Sequence, residues 1–140
     1  MLKKKQTKFV VIGDKGLHPT IKTVQMKEVI QSMKVASDAL RLRLFLLLFD
    51  EEACVCELME VFGLKQSDIS YHLIQLHKAG FVERIRRGKY SYYRINTKLP
   101  NTLYPSLLRF LVGWLDHDTT IIQDKTALQK SKLKCGVSCR

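Results

Sequence analysis

Residues 39–49, ALRLRLFLLLF, are apolar almost all the way round a helix, with only Arg41 and Arg43 interrupting the run. A helix of that kind cannot lie on a surface, so it must be central, with the other elements packed about it. At 140 residues the chain is long enough for one domain with a sizeable core. No apolar run reaches the length of a membrane span. The opening MLKKKQTKFVVIGD has too short an apolar stretch for a secretion signal, and no small-residue cleavage site follows it. These features predict a cytoplasmic protein without a membrane segment. In a reducing compartment its four cysteines would serve as thiols or metal ligands rather than as structural disulfides.

Around the central helix the pattern is mostly helical. Val24, Met26, Val29, Ile30 and Met33 recur at helix spacing, and Ser37-Asp38 can cap the helix that follows. The acidic turn Asp50-Glu51-Glu52 precedes a short helix, CVCELMEVF (54–62), which Gly63 ends. A further helix, 66–79, carries Ile69, Leu73 and Leu76 as its buried stripe and is ended by Gly80. There the period changes. FVERIR and KYSYYRI are short, rich in β-branched and aromatic residues, and joined through Arg87-Gly88, where glycine supplies the positive φ of a tight hairpin. Tyr93 and Ile95 should point inward, with Tyr90 and Tyr92 on the hairpin surface.

After Pro100 and Pro105 a long helix places Leu107, Leu111 and Trp114 on one stripe, extending towards Ile121. So small a domain offers that stripe no partner, which predicts pairing with a second subunit. The chain thus divides into a basic arm over 1–22, a domain over 23–124, and a basic cysteine-containing tail over 125–140. In the arm, KFVVI could form one short strand. FVVIGDKG lacks the further glycines and the lysine–hydroxyl pair of a phosphate-binding loop.

Helix, turn, helix and two-stranded hairpin make a mainly α fold with a β-hairpin wing, the winged helix-turn-helix. Twenty-four Lys and Arg against thirteen Asp and Glu leave a formal charge of +11, which suits a polyanionic partner. A solvated basic surface or an anionic membrane would produce the same excess. The second helix of the pair offers Gln66, Ser67, Ser70, Tyr71 and Ile74 outward near its N-terminus, where base edges are read in such motifs. The wing carries Arg84, Arg86, Arg87, Lys89 and Arg94 with the single acid Glu83. Of these, Arg86, Arg87 and Lys89 lie at the tip, where phosphate or the minor groove is met.

From about Val35 to Asn96 the chain resembles the ArsR/SmtB family of metal-responsive repressors. ALRLRLFLLL is similar to that family's arginine-containing second helix and ACVCELM to its metal box. LKQSDISYHLIQLHKAGFV is similar to its recognition helix, and RRGKYSYYRIN to its wing. The resemblance implies a homodimer joined through its first and last helices, bound to a palindromic operator that it leaves when a toxic ion binds. Arsenic sensors of this type often carry a third cysteine three residues after the second; here that residue is Met59, a thioether unsuited to arsenite. Zinc-sensing members carry two sets of carboxylate and imidazole ligands on the last helix. Asp116-His117-Asp118 offers one set here, and no second histidine follows.

Cys54 and Cys56 could be core filler, a redox pair or two ligands of a thiophilic ion. Both open a predicted helix, whose amide end lowers a thiol pKa while Glu51, Glu52 and Glu57 oppose it. On a regular helix, residues two apart point about 200° from one another, so one ion could bind both only if the helix start were distorted. In the tail, KLKCGVSCR places Cys135 and Cys139 four apart. One of them could complete a pyramid of three thiolates around As(III) or Sb(III), within a subunit or across the dimer, or the tail pair could act separately. The reading is therefore a repressor that senses arsenite or antimonite through Cys54, Cys56, Cys135 and Cys139, and has no organic cofactor. Rivals are a sensor of Cd, Pb or Zn using the same thiols and a redox or persulfide sensor. A thiol oxidoreductase lacks the C-x-x-C spacing, a catalytic base and a cofactor loop, so no enzymatic activity is expected.

Overall fold

The computed structural model describes residues 25–98 and 110–138, with side chains as far as 134. The arm over 1–22, Leu107 and Cys139 lie outside the described residues.

Helix α1 (Met26–Ala36) opens on a capping box between Gln25 and Glu28. Helix α2 (Ala39–Asp50) is capped by Asp38, whose carboxylate accepts from the Arg41 amide at 2.9 Å. Five consecutive α2 residues, Leu44 to Leu48, are buried, so the helix is central as its composition requires. Both arginines in the apolar run have structural work. Arg41 donates to the Val35 carbonyl at 2.7 Å and so ties off the end of α1. Arg43 reaches across the fold to Asp124.

A two-residue strand, β1 (Ala53–Cys54), leads into α3 (Val55–Phe62). Gly63, at φ 62°, ends α3 in the left-handed region, and α4 (Gln66–Lys78) follows. The buried residues of α4 are Ile69, Leu73 and Leu76, as the spacing predicts. Strands β2 (Val82–Arg87) and β3 (Tyr90–Ile95) pair antiparallel from Val82↔Ile95 to Arg87↔Tyr90, around Gly88 at φ 59°. Tyr93 is buried and Ile95 half-buried against the core. Strand β1 adds to the free edge of β3 through Ala53↔Tyr93 and Cys54↔Tyr92, for a sheet order of β1-β3-β2.

The C-terminal part departs from the sequence expectation. In place of one helix running through Trp114 to Ile121 and then a tail, residues 110–115 form a helical segment, α5. The chain then turns over 116–117, and a twenty-residue helix, α6 (Thr119–Ser138), begins. Asp118 makes the break, its carboxylate accepting from the amides of Thr120 (2.9 Å) and Ile121 (3.3 Å) at the new helix start. Residues 125–138 are therefore helical, and α6 packs on α2 and α3 through Ile121, Asp124, Leu128 and Ser131. Asp124 is buried and receives both Nε and Nη2 of Arg43 at 2.7 Å, and Arg43 also stacks on the Phe62 ring at 4.8 Å. The bidentate contact raises the Arg43 pKa above its ordinary value.

Candidate nucleic-acid interface and thiol cleft

Two positively charged or hydrogen-bonding elements stand side by side on one surface. On α4, Gln66, Ser67, Tyr71 and Ile74 are exposed and Ser70 is half-buried. The Tyr71 ring meets His72 edge-on at 5.3 Å. On the wing, Arg86 and Lys89 are exposed, and Arg84 is bridged to Ser91 through its Nε (3.0 Å) and Nη2 (2.7 Å). Arg94 is paired with Glu83. Arg87 is not a free tip cation: it grips Glu52 through Nη1 and Nη2 and lies over the Tyr92 ring at 4.9 Å.

The thiols lie behind these elements. Cys54 is buried in an extended conformation (φ −86°, ψ 162°) at the N-cap of α3, and half-buried Cys56 is the second residue of that helix. Helix 54–62 of the sequence reading therefore starts one residue later, at Val55. Pairing with β3 holds Cys54 extended, so the two side chains meet without any unwinding of the helix. Their Cα atoms are 5.4 Å apart and the sulfurs are joined as a disulfide. The thiol position also does capping work. The Glu57 amide donates to Cys54 Sγ at 3.4 Å, and Cys54 N donates to the buried Glu57 carboxylate at 2.8 Å.

Both cysteines and Met59 line a cleft of about 380 Å³ whose other walls are Gln66, Ser70 and Ile74 of α4 and Arg84, Lys89 and Tyr90 of the wing. Gln66, Ser70 and Ile74 are spaced i, i+4, i+8, so one face of α4 looks into the thiol cleft. Sequence reasoning did not anticipate this shared wall.

The acidic turn before Cys54 is held from both sides. Glu52 takes Arg87 from the wing, whose hydrogen bonds hold its carboxyl below the ordinary glutamate range. From α6, Lys132 pairs with Glu51 at 2.9 Å and also donates to the Glu52 carbonyl, and Gln129 donates to Glu51. Lys125 bridges Asp50 and Asp116, each at 2.7 Å.

Other sequence candidates fall elsewhere. Asp116 is engaged by Lys125 and Asp118 caps α6, and among the described residues no three His, Cys, Asp or Glu side chains form a metal-holding group. The backbone of Cys135 lies in α6. Leu111 is half-buried, whereas Trp114 is 75% exposed and stacks on Phe110 at 4.8 Å. No described helix is long and apolar enough to cross a membrane.

A tightly turned helix pair whose second helix is exposed near its N-terminus, beside a basic hairpin, defines a winged helix-turn-helix of the DNA-binding transcriptional regulators. Residues 38–84 match the family described as "Bacterial regulatory protein, arsR family". The chain is 33% identical over 108 residues to the arsenic resistance transcriptional regulator ArsR1 of Pseudomonas putida, covering 74% of this chain and 84% of that one. It is 35% identical over 72 residues to the cadmium resistance transcriptional regulatory protein CadC of Listeria innocua, covering 50% of this chain and 60% of that one. Among solved structures, the transcriptional repressor BigR of Xylella fastidiosa superposes with a TM-score of 0.52 at 30% identity, covering 64% of this chain and 83% of that one. The chain belongs to the arsR family of bacterial regulatory proteins.

Proposed function

We propose that the protein represses transcription from a palindromic operator as a homodimer and releases it when arsenite or antimonite is bound by the thiolates of Cys54 and Cys56. The observation that carries this reading is the shared cleft. The two sulfurs are adjacent on one wall, and Gln66, Ser70 and Lys89, which would face DNA, form the others. An ion seated on the thiols alters the spacing between recognition helix and wing, so ligand binding acts directly on the DNA-reading surface. Cys135 or Cys139 supplies the third thiolate that trivalent arsenic requires. The exposed apolar residues Met26, Ile30 and Met33 of α1, with Phe110 and Trp114, form the dimer seam. The likeness to a P. putida arsenic regulator supports the choice of ion; the likeness to a cadmium regulator keeps Cd, Pb and Zn as the rival set.

The test is an operator-binding titration of reduced protein with As(III), Sb(III), Cd(II), Pb(II) and Zn(II). Release at the lowest concentrations by As(III) or Sb(III) is expected, and release by Cd(II) alone would overturn the choice of ion.

A second reading uses the same pair as a redox switch, and the Cys54–Cys56 disulfide favours it. A hydroperoxide would take two electrons from the two thiols and leave as water and an alcohol. In that case operator affinity differs between oxidised and reduced protein with no ion present. Equal affinities would remove the redox reading.

A further inference from the structure

We propose that Lys125, Gln129 and Lys132 of α6 are positioning residues for the wing: they hold the acidic turn, the turn holds Glu52 on Arg87, and that grip sets how much of the wing's charge reaches DNA. The proposal rests on the wing meeting DNA, as in the function above, and is independent of any ion on the thiols.

Three consecutive acids meet one stripe of α6. Lys125, Gln129 and Lys132 are spaced i, i+4 and i+7, hence on one helix face. Lys125 pairs with Asp50 at 2.7 Å, Gln129 donates to Glu51, and Lys132 pairs with Glu51 at 2.9 Å. The stripe is fixed in place, because each of its residues follows one that anchors the helix: Asp124, Leu128 and Ser131 are buried where α6 packs on α2 and α3. Asp124 carries the Arg43 contact, and the Ser131 hydroxyl donates to the Glu57 carbonyl at 3.4 Å.

Glu52 is where the stripe reaches the wing. Lys132 donates to its backbone carbonyl, while its carboxylate takes Nη1 and Nη2 of Arg87. Main chain and side chain of one residue are thus held by two different elements. Lys132 does not compete with Arg87 for that carboxylate, since its ionic partner is Glu51. The two cations would repel if they touched, so favourable coupling between them has to pass through Glu52. An isolated surface ion pair restrains little, because ordering both side chains offsets the attraction. Here an anchored helix already fixes the backbone that presents the carboxylate, so less freedom remains to be lost when Arg87 pairs. From Glu52 the chain runs into β1, which pairs with the wing strand β3 at Tyr92 and Tyr93. A turn released from α6 therefore frees Arg87 for phosphate while β1 keeps the strands in register.

The experiment uses the full chain, reduced, with folding checked by circular dichroism. NMR of the isotope-labelled Arg87 guanidinium, assigned through Arg87→Lys, reads the grip of Glu52 without DNA. Rotation about Nε–Cζ should be slower in wild type than in Lys132→Met. Fluorescence anisotropy across a salt series should show operator binding steepened in Lys132→Met by up to about one unit, as one more cation meets phosphate. Lys132→Arg should restore the wild-type slope, and Lys132→Met should add nothing in a Glu52→Gln background. Equal Arg87 rotation in wild type and Lys132→Met, or an unchanged slope, would overturn the positioning role. A shallower slope would overturn it too, by making Lys132 itself a phosphate contact. A steepening that persists in the Glu52→Gln background would overturn the route through Glu52. Should Lys132→Met fail to fold, Lys125→Met and Gln129→Leu test the same stripe and should shift rotation and slope in the same directions. Wild type that binds no operator, with Arg87 freed in Lys132→Met, defeats the repressor reading alone. Operator bound by wild type, with Arg87 unmoved in Lys132→Met, defeats this one alone.

Discussion

Arg87 at the wing tip is held by Glu52, two residues before Cys54, so the wing and the thiol box share one ion pair. A cation committed to a carboxylate contributes little to phosphate binding, because its charge is already answered. Glu52→Gln should therefore free Arg87 and steepen the salt dependence of operator binding by about one unit. Fluorescence anisotropy across a salt series measures it, and an unchanged slope would show that Arg87 does not reach DNA. The pair also has a pH signature. Arg87 lowers the Glu52 pKa, so the interaction is fully present above the ordinary glutamate range and is lost as pH falls through the depressed value. Carboxyl NMR should show Glu52 titrating below the ordinary glutamate value, and Arg87→Gln should raise it towards that value.

Asp124 and Arg43 are 81 positions apart in the chain and join α6 to the central helix. Asp124 is buried while Arg43 is partly open to solvent, which moderates the contribution of the pair. Asp124→Ala should cost about 1–3 kcal/mol in urea unfolding, because it leaves the guanidinium without its partner. The double variant Arg43→Leu/Asp124→Leu should be more stable than Asp124→Ala. If Asp124→Ala unfolds like wild type, α6 is not anchored there.

That pair also shows where sequence reading stopped. Ile69, Leu73 and Leu76, Gly63 and Gly88 were legible because each is a local signal: a helical stripe, a helix end or a hairpin turn. Helix α6 was not, because its inward stripe is Ile121, Asp124, Leu128 and Ser131, with polar residues at every other position. Asp124 reads as a surface residue until Arg43 is known to meet it. The cap signal of Asp118 before Thr119-Thr120 was present and could have located the break. Strand β1 has two residues and no period of its own, and its pairing with Tyr92 and Tyr93 is a long-range event. Missing it moved the α3 start onto Cys54 and implied that the thiols diverge.

The DNA-facing elements should contribute differently. Ser70→Ala or Tyr71→Ala should relax base preference and cost about 1–3 kcal/mol on the correct operator. Lys89→Ala should weaken all sequences alike and lower the salt slope by about one unit. Competition binding against scrambled DNA distinguishes the two patterns. Specificity lost in Lys89→Ala but kept in Tyr71→Ala would reverse the assignment.

Trp114 is exposed within the chain, so truncating it removes little from the folded monomer. With Phe110 beside it and Met26, Ile30 and Met33 also exposed, the seam would be the main loss. Trp114→Ala should keep its helical circular dichroism, sediment as a monomer, and bind operator weakly because single half-sites are held. A stable Trp114→Ala dimer would place the seam elsewhere.

The cysteines should govern release and not binding. Cys54 is buried and its sulfur accepts from the Glu57 amide, a role that a serine hydroxyl fills well at an N-cap. Cys54→Ser should therefore fold and bind operator, and so should the half-buried Cys56→Ser. If both sulfurs are ligands, either variant stays on DNA when arsenite is added, and the double variant adds little. If they are only packing, stability falls and the arsenite response persists. Cys135→Ser and Cys139→Ser divide the remaining possibilities: a third ligand weakens the response several-fold, whereas a bystander changes nothing. Normal folding of Cys54→Ser together with release at wild-type arsenite concentrations would refute the thiolate mechanism, since its adjacency argument requires both sulfurs on one ion.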